Sequence, residues 1–419
     1  MPPDTQRILS RCEALARHSE SREALTRVFL SPEQAAASAE VAGWMREAGM
    51  TARIDAIGNV VGRYEGREPG APCLLLGSHL DTVRDAGRYD GILGVAIAVD
   101  CVADLAARGV RLPFAIEVVG FADEEGVRFA ATLLGSRALA GTFDANVLDN
   151  VDDDGVSMRA ALVAAGLEPD RIADAARARG EVLAFVELHI EQGPVLERQR
   201  QTIGAVTGVQ GISWQEVTIS GQSNHAGTTP TSMRHDAGFA AFAIGAFVRG
   251  LAIEIGPPQV GTVGKIDLEP NLVNVVARTA RLTVDLRNTD ETELQSAESK
   301  LVACLDELAE REGVTIERRT LARFEPVAFD DRMIDLVEAT AERLGLKVRR
   351  LPSGAGHDAQ MMARICPTAM VFVPSVGGIS HNPAEYTSPG DLTAGAQVLL
   401  EVMCRLASRS TDPDQLYEM

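Results

Sequence analysis

The chain contains few cysteines and little positive charge. Its six cysteines are spread over 419 residues without CxxC pairs or regular spacing, which argues against a disulfide framework and a thiolate zinc site. The 40 Lys and Arg residues are outnumbered by 59 Asp and Glu residues, so the formal net charge is −19. Because the sequence also has no run of Lys and Arg, this charge repels nucleic acid and anionic lipid, and we expect neither as a partner.

Long apolar runs are absent as well. No stretch is long enough to span a membrane, and the first residues, MPPDTQRILSRCEALARHSE, lack the basic and apolar regions of a signal peptide. We therefore expect a soluble, cytoplasmic protein without a membrane partner. The hydrophobic share of 46% leaves enough apolar surface for a sizeable core, and the length of 419 residues predicts two compact domains.

Strand and helix patterns alternate at both ends of the chain. Helical apolar spacing occurs at residues 35–50 and 93–108, and again at 333–344 and 391–406. Short apolar runs, typical of buried strands, occur at residues 73–76, 114–119 and 184–186, and again at 369–373. This alternation predicts a discontinuous α/β domain made of residues 1–212 and 325–419, with a mixed, largely parallel sheet.

The segment between these two parts of the chain has a different pattern of apolar residues. Strand-like alternation and helical spacing occur there in the order βαββαβ, at residues 214–219, 234–248, 260–266, 279–286, 293–311 and 314–319. This order is that of a ferredoxin-like α+β domain, and we place it at residues 213–324, inserted into the larger domain.

Polar residues follow the ends of four apolar strand runs. These residues are His79 and Asp81; Asp123, Glu124 and Glu125; His189, Glu191 and Gln192; and Ser380 and His381. Because ligands bind at the carboxyl ends of the strands in an open parallel sheet, we expect the four segments to converge on one crevice. Asp90, in the turn before the helix at 93–108, is close enough in sequence to join them.

Histidine, aspartate and glutamate without cysteine are the ligands of Zn²⁺, Mn²⁺, Co²⁺ or Ni²⁺. Three histidines and two carboxylates are too many for one tetrahedral catalytic zinc, so we expect two metals bridged by a carboxylate. Asp81 is predicted to orient the imidazole of His79. Of Glu124 and Glu125, one is predicted to bind metal and the other to take a proton from water. Each residue alone could belong to an ordinary turn; their joint position after buried strands favours the metal site.

Seven segments of the chain resemble a known family. They are GSHLDTV (77–83), GRYDGILGV (87–95), FADEEGVRF (121–129), ELHIEQGPVLE (187–197), GQSNHAGTTP (221–230), SGAGHDA (353–359) and GISHNPAEYT (378–387). They are similar to the hydantoinase/carbamoylase branch of the M20-type dinuclear metallohydrolases, and the resemblance spans residues 40 to 405. This branch includes N-carbamoyl-L-amino acid hydrolases, allantoate amidohydrolases and β-ureidopropionases.

The resemblance implies a role for each residue of the metal site. His79 and His189 would hold one divalent ion, Glu125 and His381 the other, and Asp90 would bridge the two ions of each subunit. Glu124 would be the general base. The peptidase and aminoacylase branches have Asp or Glu where this chain has His189, and this departure disfavours a dipeptidase.

The resemblance also implies residues that bind substrate: Gln192, His225, Asn274, Arg287, Gly356 and His357. His225 would stabilise the oxyanion from the partner subunit of a homodimer formed through the inserted domain, which would act as a lid. Arg287, at the end of the strand predicted at 279–286, suits a bidentate grip on a substrate carboxylate, while its alternative is a surface ion pair.

We therefore expect a homodimeric amidohydrolase that cleaves the terminal C–N bond of a ureido group and releases ammonia and CO₂. The first substrate to consider is an N-carbamoyl-L-amino acid. Three alternatives stay open: an allantoate amidohydrolase, a dipeptidase or aminoacylase of the M20 type, and a binding protein on the same fold that has no catalytic activity.

Overall fold

The computed structural model of the chain describes residues 3–409. The chain divides into two compact units, one made of Met1–Thr207 and Phe329–Met419 and the other of Gly208–Ala328. The strands are β1 (Thr51–Ile54), β2 (Val60–Tyr64), β3 (Cys73–His79), β4 (Ala115–Phe121), β5 (Val182–Ile190), β6 (Ile203–Val209), β7 (Gly211–Ser220), β8 (Val260–Glu269), β9 (Thr279–Asn288), β10 (Thr315–Phe324), β11 (Val327–Ala328), β12 (Val348–Ser353) and β13 (Thr368–Val373).

The α-helices of the same range are α1 (Thr5–Ala16), α2 (Pro32–Glu47), α3 (Ile92–Ala107), α4 (Leu134–Leu139), α5 (Met158–Ala164), α6 (Val195–Arg198), α7 (Ala237–Ile255), α8 (Glu291–Glu312), α9 (Asp331–Arg343), α10 (Ala359–Met362) and α11 (Pro389–Arg409). The segment 141–180 contains only the short helix α5 and two turns of 3-10 helix, Ala145–Asp149 and Pro169–Ala175.

The first unit is built on a mixed sheet with the strand order β1-β2-β4-β3-β5-β13-β6, and β12 pairs with β6. The four central strands run parallel, since β3 pairs in parallel with β4 and β5, and β5 with β13. Every residue of β3, β4 and β13 is buried. Burial on both faces explains why these strands are near-continuous apolar runs. The predicted α/β class with a largely parallel sheet is confirmed.

The second unit has an antiparallel sheet with the order β10-β7-β9-β8, and α7 and α8 pack against it. The elements follow one another as βαββαβ, which confirms the ferredoxin-like α+β topology. Along β9 every second residue is buried, as expected for a sheet with one covered face. The core joins that face to both helices through residues such as Val217, Leu282, Ile244, Leu294 and Leu301.

By length and composition, α7 could cross a membrane, and it is the one such helix among the described residues. Its inner face packs into the core of the second unit through Ala240, Ile244, Val248 and Leu251. One face of the helix therefore belongs to the core of this unit, and that packing explains the apolar residues on this face.

Candidate metal centre

Four loops that follow the carboxyl ends of parallel strands meet in the first unit. β3 ends at His79, which is paired in register with Phe121 at the end of β4. His189 is paired with Phe372 of β13. Together with Glu125 and Asp90, the histidines offer ligand atoms that lie within 4.8 Å of one another in two overlapping groups, His79, Asp90 and His189, and Asp90, Glu125 and His381.

The carboxylate of Asp90 lies between these two groups. Oδ1 is 3.2 Å from Nε2 of His189 and 3.7 Å from Nε2 of His79. Oδ2 is 3.0 Å from Nε2 of His381, and that nitrogen is 3.4 Å from Oε1 of Glu125. Each oxygen of Asp90 therefore faces a different set of donors, which is the geometry of a carboxylate that can bridge two cations.

The two buried histidines are held by their second ring nitrogen. Nδ1 of His79 is 2.9 Å from the carbonyl oxygen of Asp81, and Nδ1 of His189 is 2.9 Å from the carbonyl oxygen of Ile190. A carbonyl oxygen only accepts, so Nδ1 carries a proton in both rings, and Nε2 is the nitrogen that faces the centre and is available to a cation.

The donor set fits a divalent cation. Asp90 is buried, and its Oδ1 has no hydrogen-bond partner in the described part of the chain. A buried carboxylate oxygen without a donor is costly unless a cation compensates it, and neutral imidazole and carboxylate are suitable ligands. By contrast, the nearby group of Glu187, His189 and His357 is occupied by internal hydrogen bonds: both oxygens of Glu187 and Nε2 of His357 have partners.

A glycine is required where α3 begins. Gly91 has a φ of +68° and its N–H donates to Nε2 of His189 at 3.2 Å. A Cβ atom at this position would lie 2.5 Å from both ring nitrogens of His79. Only glycine therefore allows the turn of Asp90 to close onto both histidines.

Asp81 differs from its predicted role. Its backbone carbonyl, rather than its carboxylate, accepts from His79, and the nearest carboxylate oxygen is 3.7 Å from Nδ1. The carboxylate instead accepts the backbone N–H groups of Glu124 (3.0 Å) and Glu125 (3.1 Å). The reason is geometric: the turn after β3 directs the carbonyl toward the imidazole and leaves the side chain facing the loop after β4.

Glu124 has the environment of a group that can carry a proton. Its side chain is buried. Burial, followed by the nearby charge of Glu125, raises the pKa of Glu124 well above its ordinary value. Gly356 lies beside it, since a Cβ atom at Gly356 would be 3.6 Å from Oε1 of Glu124. A carboxylate with a raised pKa next to a metal centre is suited to general acid–base catalysis.

Gln192 and His357 contact the centre from two different elements. Nε2 of Gln192 donates to Oδ2 of Asp90 at 3.1 Å. Gln192 and His381 both have positive φ angles, +56° and +53°, and such backbone strain is typical of functional sites. His357 is buried with its ring centroid 4.5 Å from that of His189, and its Nε2 is 2.9 Å from Oγ of Ser353. Burial lowers the pKa of His357 well below its ordinary value, so its ring is neutral.

Glu187, which supports this region, was not among the residues predicted from the sequence. The residue is fully buried in β5; Oε1 accepts from Oγ of Ser78 at 2.7 Å and Oε2 from the N–H of Ala359 at 2.9 Å. It thereby links β3 and β5 to the start of α10, next to His357. An acidic residue inside the apolar run LAFVELHI was the signal that could have revealed it, because buried carboxylates need partners.

His225 and Asn274 lie together in the second unit. His225 forms a bridge with Val275, and the N–H of Ala226 donates to the carbonyl oxygen of Asn274 at 3.0 Å. Nδ1 of His225 accepts from the N–H groups of Gly227 (3.0 Å) and Thr228 (3.2 Å). The proton of this exposed imidazole is therefore on Nε2, which makes Nε2–H a donor that can reach a ligand.

Arg287 forms an ion pair at the opposite end of β9. Its Nε is 3.1 Å from both carboxylate oxygens of Asp285, and Nη2 is 2.9 Å from Oδ2. Eight residue-to-residue steps of extended strand, a distance of about 26 Å, separate Arg287 from Thr279, where the loop of Asn274 joins β9. The structure therefore does not bring Arg287 to His225 and Asn274 within one chain. For His225 this agrees with the expectation that it acts from the partner subunit of a homodimer.

Comparisons with known proteins show the family to which the chain belongs. Peptidase family M20/M25/M40 matches residues 75–405. An N-carbamoyl-L-amino acid amidohydrolase of Geobacillus stearothermophilus is 41% identical over 384 residues, which are 91% of this chain and 93% of the relative. An allantoate amidohydrolase of Escherichia coli (strain K12) is 36% identical over 387 residues, with coverages of 91% and 93%.

A solved structure of a related protein has the same fold. An amidase of the hydantoinase/carbamoylase family from Burkholderia multivorans superposes with a TM-score of 0.92 at 35% identity, covering 97% of this chain and 98% of that one. The family and the donor groups around Asp90 together establish a divalent-metal site. The chain belongs to peptidase family M20/M25/M40, within its hydantoinase/carbamoylase branch, and is an amidohydrolase of carbon–nitrogen bonds other than peptide bonds.

Proposed function

We propose that the chain hydrolyses the terminal C–N bond of the ureido group of an N-carbamoyl-L-amino acid. One water molecule is consumed, and the products are ammonia, CO₂ and the amino acid. The observation that carries this proposal is the arrangement around Asp90: donors on both sides of one carboxylate, with the buried Glu124 next to them.

Two divalent ions per subunit, Zn²⁺, Mn²⁺, Co²⁺ or Ni²⁺, would bind there. His79 and His189 would hold one, Glu125 and His381 the other, and Asp90 would contribute one oxygen to each. When bound, such ions act as Lewis acids that polarise a carbonyl oxygen and lower the pKa of water.

Glu124 is the general base of this proposal. Because burial raises its pKa well above the ordinary value, it can accept a proton from the attacking water and then hold it. The same carboxyl group delivers that proton to the departing nitrogen, so that no net proton remains on the enzyme. Asp81 keeps Glu124 in place through the backbone hydrogen bond.

The second unit supplies groups that bind substrate. His225 donates through Nε2–H to the oxygen that gains negative charge in the transition state, as an oxyanion-hole donor does. Arg287 binds the substrate carboxylate, for which its planar guanidinium is suited. Asp285 pairs with this guanidinium when no substrate is bound.

We further infer that two copies of the chain complete each substrate site. An N-carbamoyl-L-amino acid is much shorter than the strand of about 26 Å that separates Arg287 from the loop of Asn274, so the two must act from different chains. The outer side of α7 supports a homodimer, because it exposes the apolar residues Phe239, Phe242 and Ile253 at the spacing of a helix–helix contact. The strand β8, at the edge of the antiparallel sheet, is also open to pairing.

An ammonia-release assay tests the substrate. Purified protein is incubated with N-carbamoyl-L-amino acids, allantoate and dipeptides, with a Glu124→Gln variant as control. Ammonia is measured for the two ureido substrates, and free amino acid is measured for the dipeptides, whose cleavage releases no ammonia. Ammonia from N-carbamoyl-L-amino acids that depends on Glu124 would support the proposal. Faster release from allantoate would assign the activity of the Escherichia coli relative instead, since both substrates carry a ureido group beside a carboxylate. Cleavage of dipeptides alone, or no reaction with any of them, would contradict the proposal.

A cytoplasmic location and the absence of nucleic-acid or membrane partners stay predictions of the sequence.

A further inference from the structure

Glu385 is a buried carboxylate in the segment that carries His381. It lies between β13 and α11 and is 3% exposed. Its Oε1 accepts hydrogen bonds from the backbone N–H groups of Tyr89 (2.8 Å) and Asp90 (3.2 Å), and its Oε2 accepts one from Oγ of Ser380 at 2.9 Å. One carboxylate therefore joins the turn of Asp90 to the residue directly before His381.

This connection bridges two segments that are far apart in sequence. Asp90 and Glu385 are separated by 295 positions. Gln192 completes the connection, since its Nε2 donates to Oγ of Ser380 at 3.2 Å and to Oδ2 of Asp90 at 3.1 Å. The hydroxyl of Ser380 thus donates to Glu385 and accepts from Gln192, which uses its single proton and one lone pair.

The packing around Glu385 is close enough to transmit a change in its side chain. A Cβ atom at Gly87 would overlap the carboxyl group and Cβ of Glu385. The turn that leads to Asp90 therefore packs directly against this side chain. Since buried polar groups need partners, the two N–H groups would lose their acceptor if the carboxylate were removed.

The far side of the same loop is held independently. The carbonyl oxygen of Tyr386 accepts from the N–H of Val376 at 2.9 Å, and Oε2 of Glu197 accepts from the N–H of Gly377 at 2.8 Å. Glu197 is exposed. It contacts the loop without contacting the turn of Asp90, which makes it a matched control for Glu385.

We propose that Glu385 is the positioning residue that fixes the spacing between Asp90 and His381, and with it the affinity of the cation position that these two share with Glu125. This rests on the proposed function, which requires a divalent ion between those side chains. Residues that hold ligands in place through hydrogen bonds contribute to metal affinity because they keep the donors at coordination distance.

The test measures metal affinity rather than turnover. Chelator-treated wild type, Glu385→Ala, Glu385→Gln and Glu197→Ala are titrated with Co²⁺ against a competing chelator, and the absorption spectrum of bound Co²⁺ is recorded. Glu385→Ala should bind one of the Co²⁺ equivalents about 10- to 100-fold more weakly than wild type, and the absorption spectrum of its bound Co²⁺ should differ. Glu385→Gln should be closer to wild type, because its amide oxygen still accepts from both N–H groups. Glu197→Ala should leave affinity and spectrum unchanged.

Wild-type affinity and spectrum in a folded Glu385→Ala protein would overturn the proposal, and so would an equal loss in Glu197→Ala. If Glu385→Ala does not fold, Ser380→Ala takes its place, because it removes one of the three hydrogen bonds of Glu385. This variant should bind one equivalent of Co²⁺ several-fold more weakly than wild type. An unchanged affinity would contradict the proposal. Failure of the proposed function has a different signature, namely a wild type that binds no Co²⁺ at all.

Discussion

The carboxylate of Asp81 accepts the backbone N–H of Glu124 at 3.0 Å, and its other oxygen accepts the N–H of Glu125 at 3.1 Å. Asp81 belongs to the loop after β3, whereas the two glutamates belong to the loop after β4. One buried side chain thus fixes the backbone of the proposed general base and of a candidate metal ligand relative to the strand that ends at His79.

Asp81→Asn should therefore impair turnover more than metal binding. The amide offers one acceptor where the carboxylate offers two, so one of the two N–H groups loses its partner and the loop of Glu124 shifts. His79 keeps its own partner, because that partner is the backbone carbonyl of residue 81. We expect kcat of the metal-saturated variant to fall about 10- to 100-fold, a loss of up to ~3 kcal/mol, and the metal affinity to change less.

Asp55→Asn is the control for this variant. Asp55 also accepts several backbone N–H groups, those of Ile57, Gly58 and Asn59, but it holds a turn that contributes no candidate ligand. Its substitution should lower the thermal midpoint and leave kcat unchanged. A reduced metal affinity with wild-type kcat in Asp81→Asn would instead favour the predicted role as orienter of His79.

Glu124→Gln should abolish most of the activity without removing metal. The amide has the shape of the carboxyl group but cannot accept a proton, and general-base catalysis contributes about 10²- to 10⁴-fold. Metal content by elemental analysis and steady-state ammonia release give the two readouts. Turnover equal to that of the wild type would remove Glu124 from the mechanism.

Metal binding should release protons. The hydrogen bond with Asp90, together with that of Glu125, raises the pKa of His381 to about 10 in the metal-free chain. His381 is therefore protonated at neutral pH and must lose its proton to bind a cation. As pH falls, protons compete better, so metal affinity should decrease toward acid and increase toward alkaline pH.

Calorimetric titration in buffers with different ionisation enthalpies measures this release. His381→Ala should release about one proton fewer per chain than wild type at pH 7. His18→Ala is the control, because His18 pairs with Glu40 and lies outside the metal centre. Equal proton release by wild type and His381→Ala would show that His381 does not bind the cation.

Mixing two inactive variants should restore activity if each site uses two chains. His225→Ala and Arg287→Ala homodimers each lack one group at both sites, whereas their heterodimer has one intact site and one doubly altered site. After dissociation and random reassociation, about a quarter of wild-type activity is expected from the symmetry of the dimer. Each variant treated alone is the control. No recovery, with heterodimers verified by differential tagging, would place both residues in one site of the same chain.

The strands that lead into the site could be predicted because they are buried on both faces. The apolar runs at 73–76 and 369–373 correspond to β3 and β13, and the polar residues after them marked the edge of the sheet where ligands bind. β2 and β6 were not predicted, since Gly62, Gly204 and Gly208 interrupt their alternation. The helix predicted at 234–248 begins at Ala237, because the side chain of Asp236 caps it through the N–H of Phe239.

The contacts that hold the site could not be predicted from the sequence. Whether His79 meets the carbonyl or the carboxylate of Asp81 depends on the dihedral angles of one turn, and no residue pattern encodes them. Glu385 and Asp90 lie 295 positions apart, and no local periodicity connects them. The separation of Arg287 from Asn274 is different, since the strand predicted at 279–286 already lies between them and β9 (Thr279–Asn288) matches that prediction.

Ammonia release during metal reconstitution shows whether turnover depends on two bound cations. Chelator-treated protein is given N-carbamoyl-L-amino acid and increasing equivalents of Zn²⁺, Mn²⁺, Co²⁺ or Ni²⁺. The two donor sets that share Asp90 predict no activity in the metal-free protein and a rate that stops rising at about two equivalents per chain. Full activity in protein shown by elemental analysis to be free of metal would contradict the role of the metal centre in catalysis.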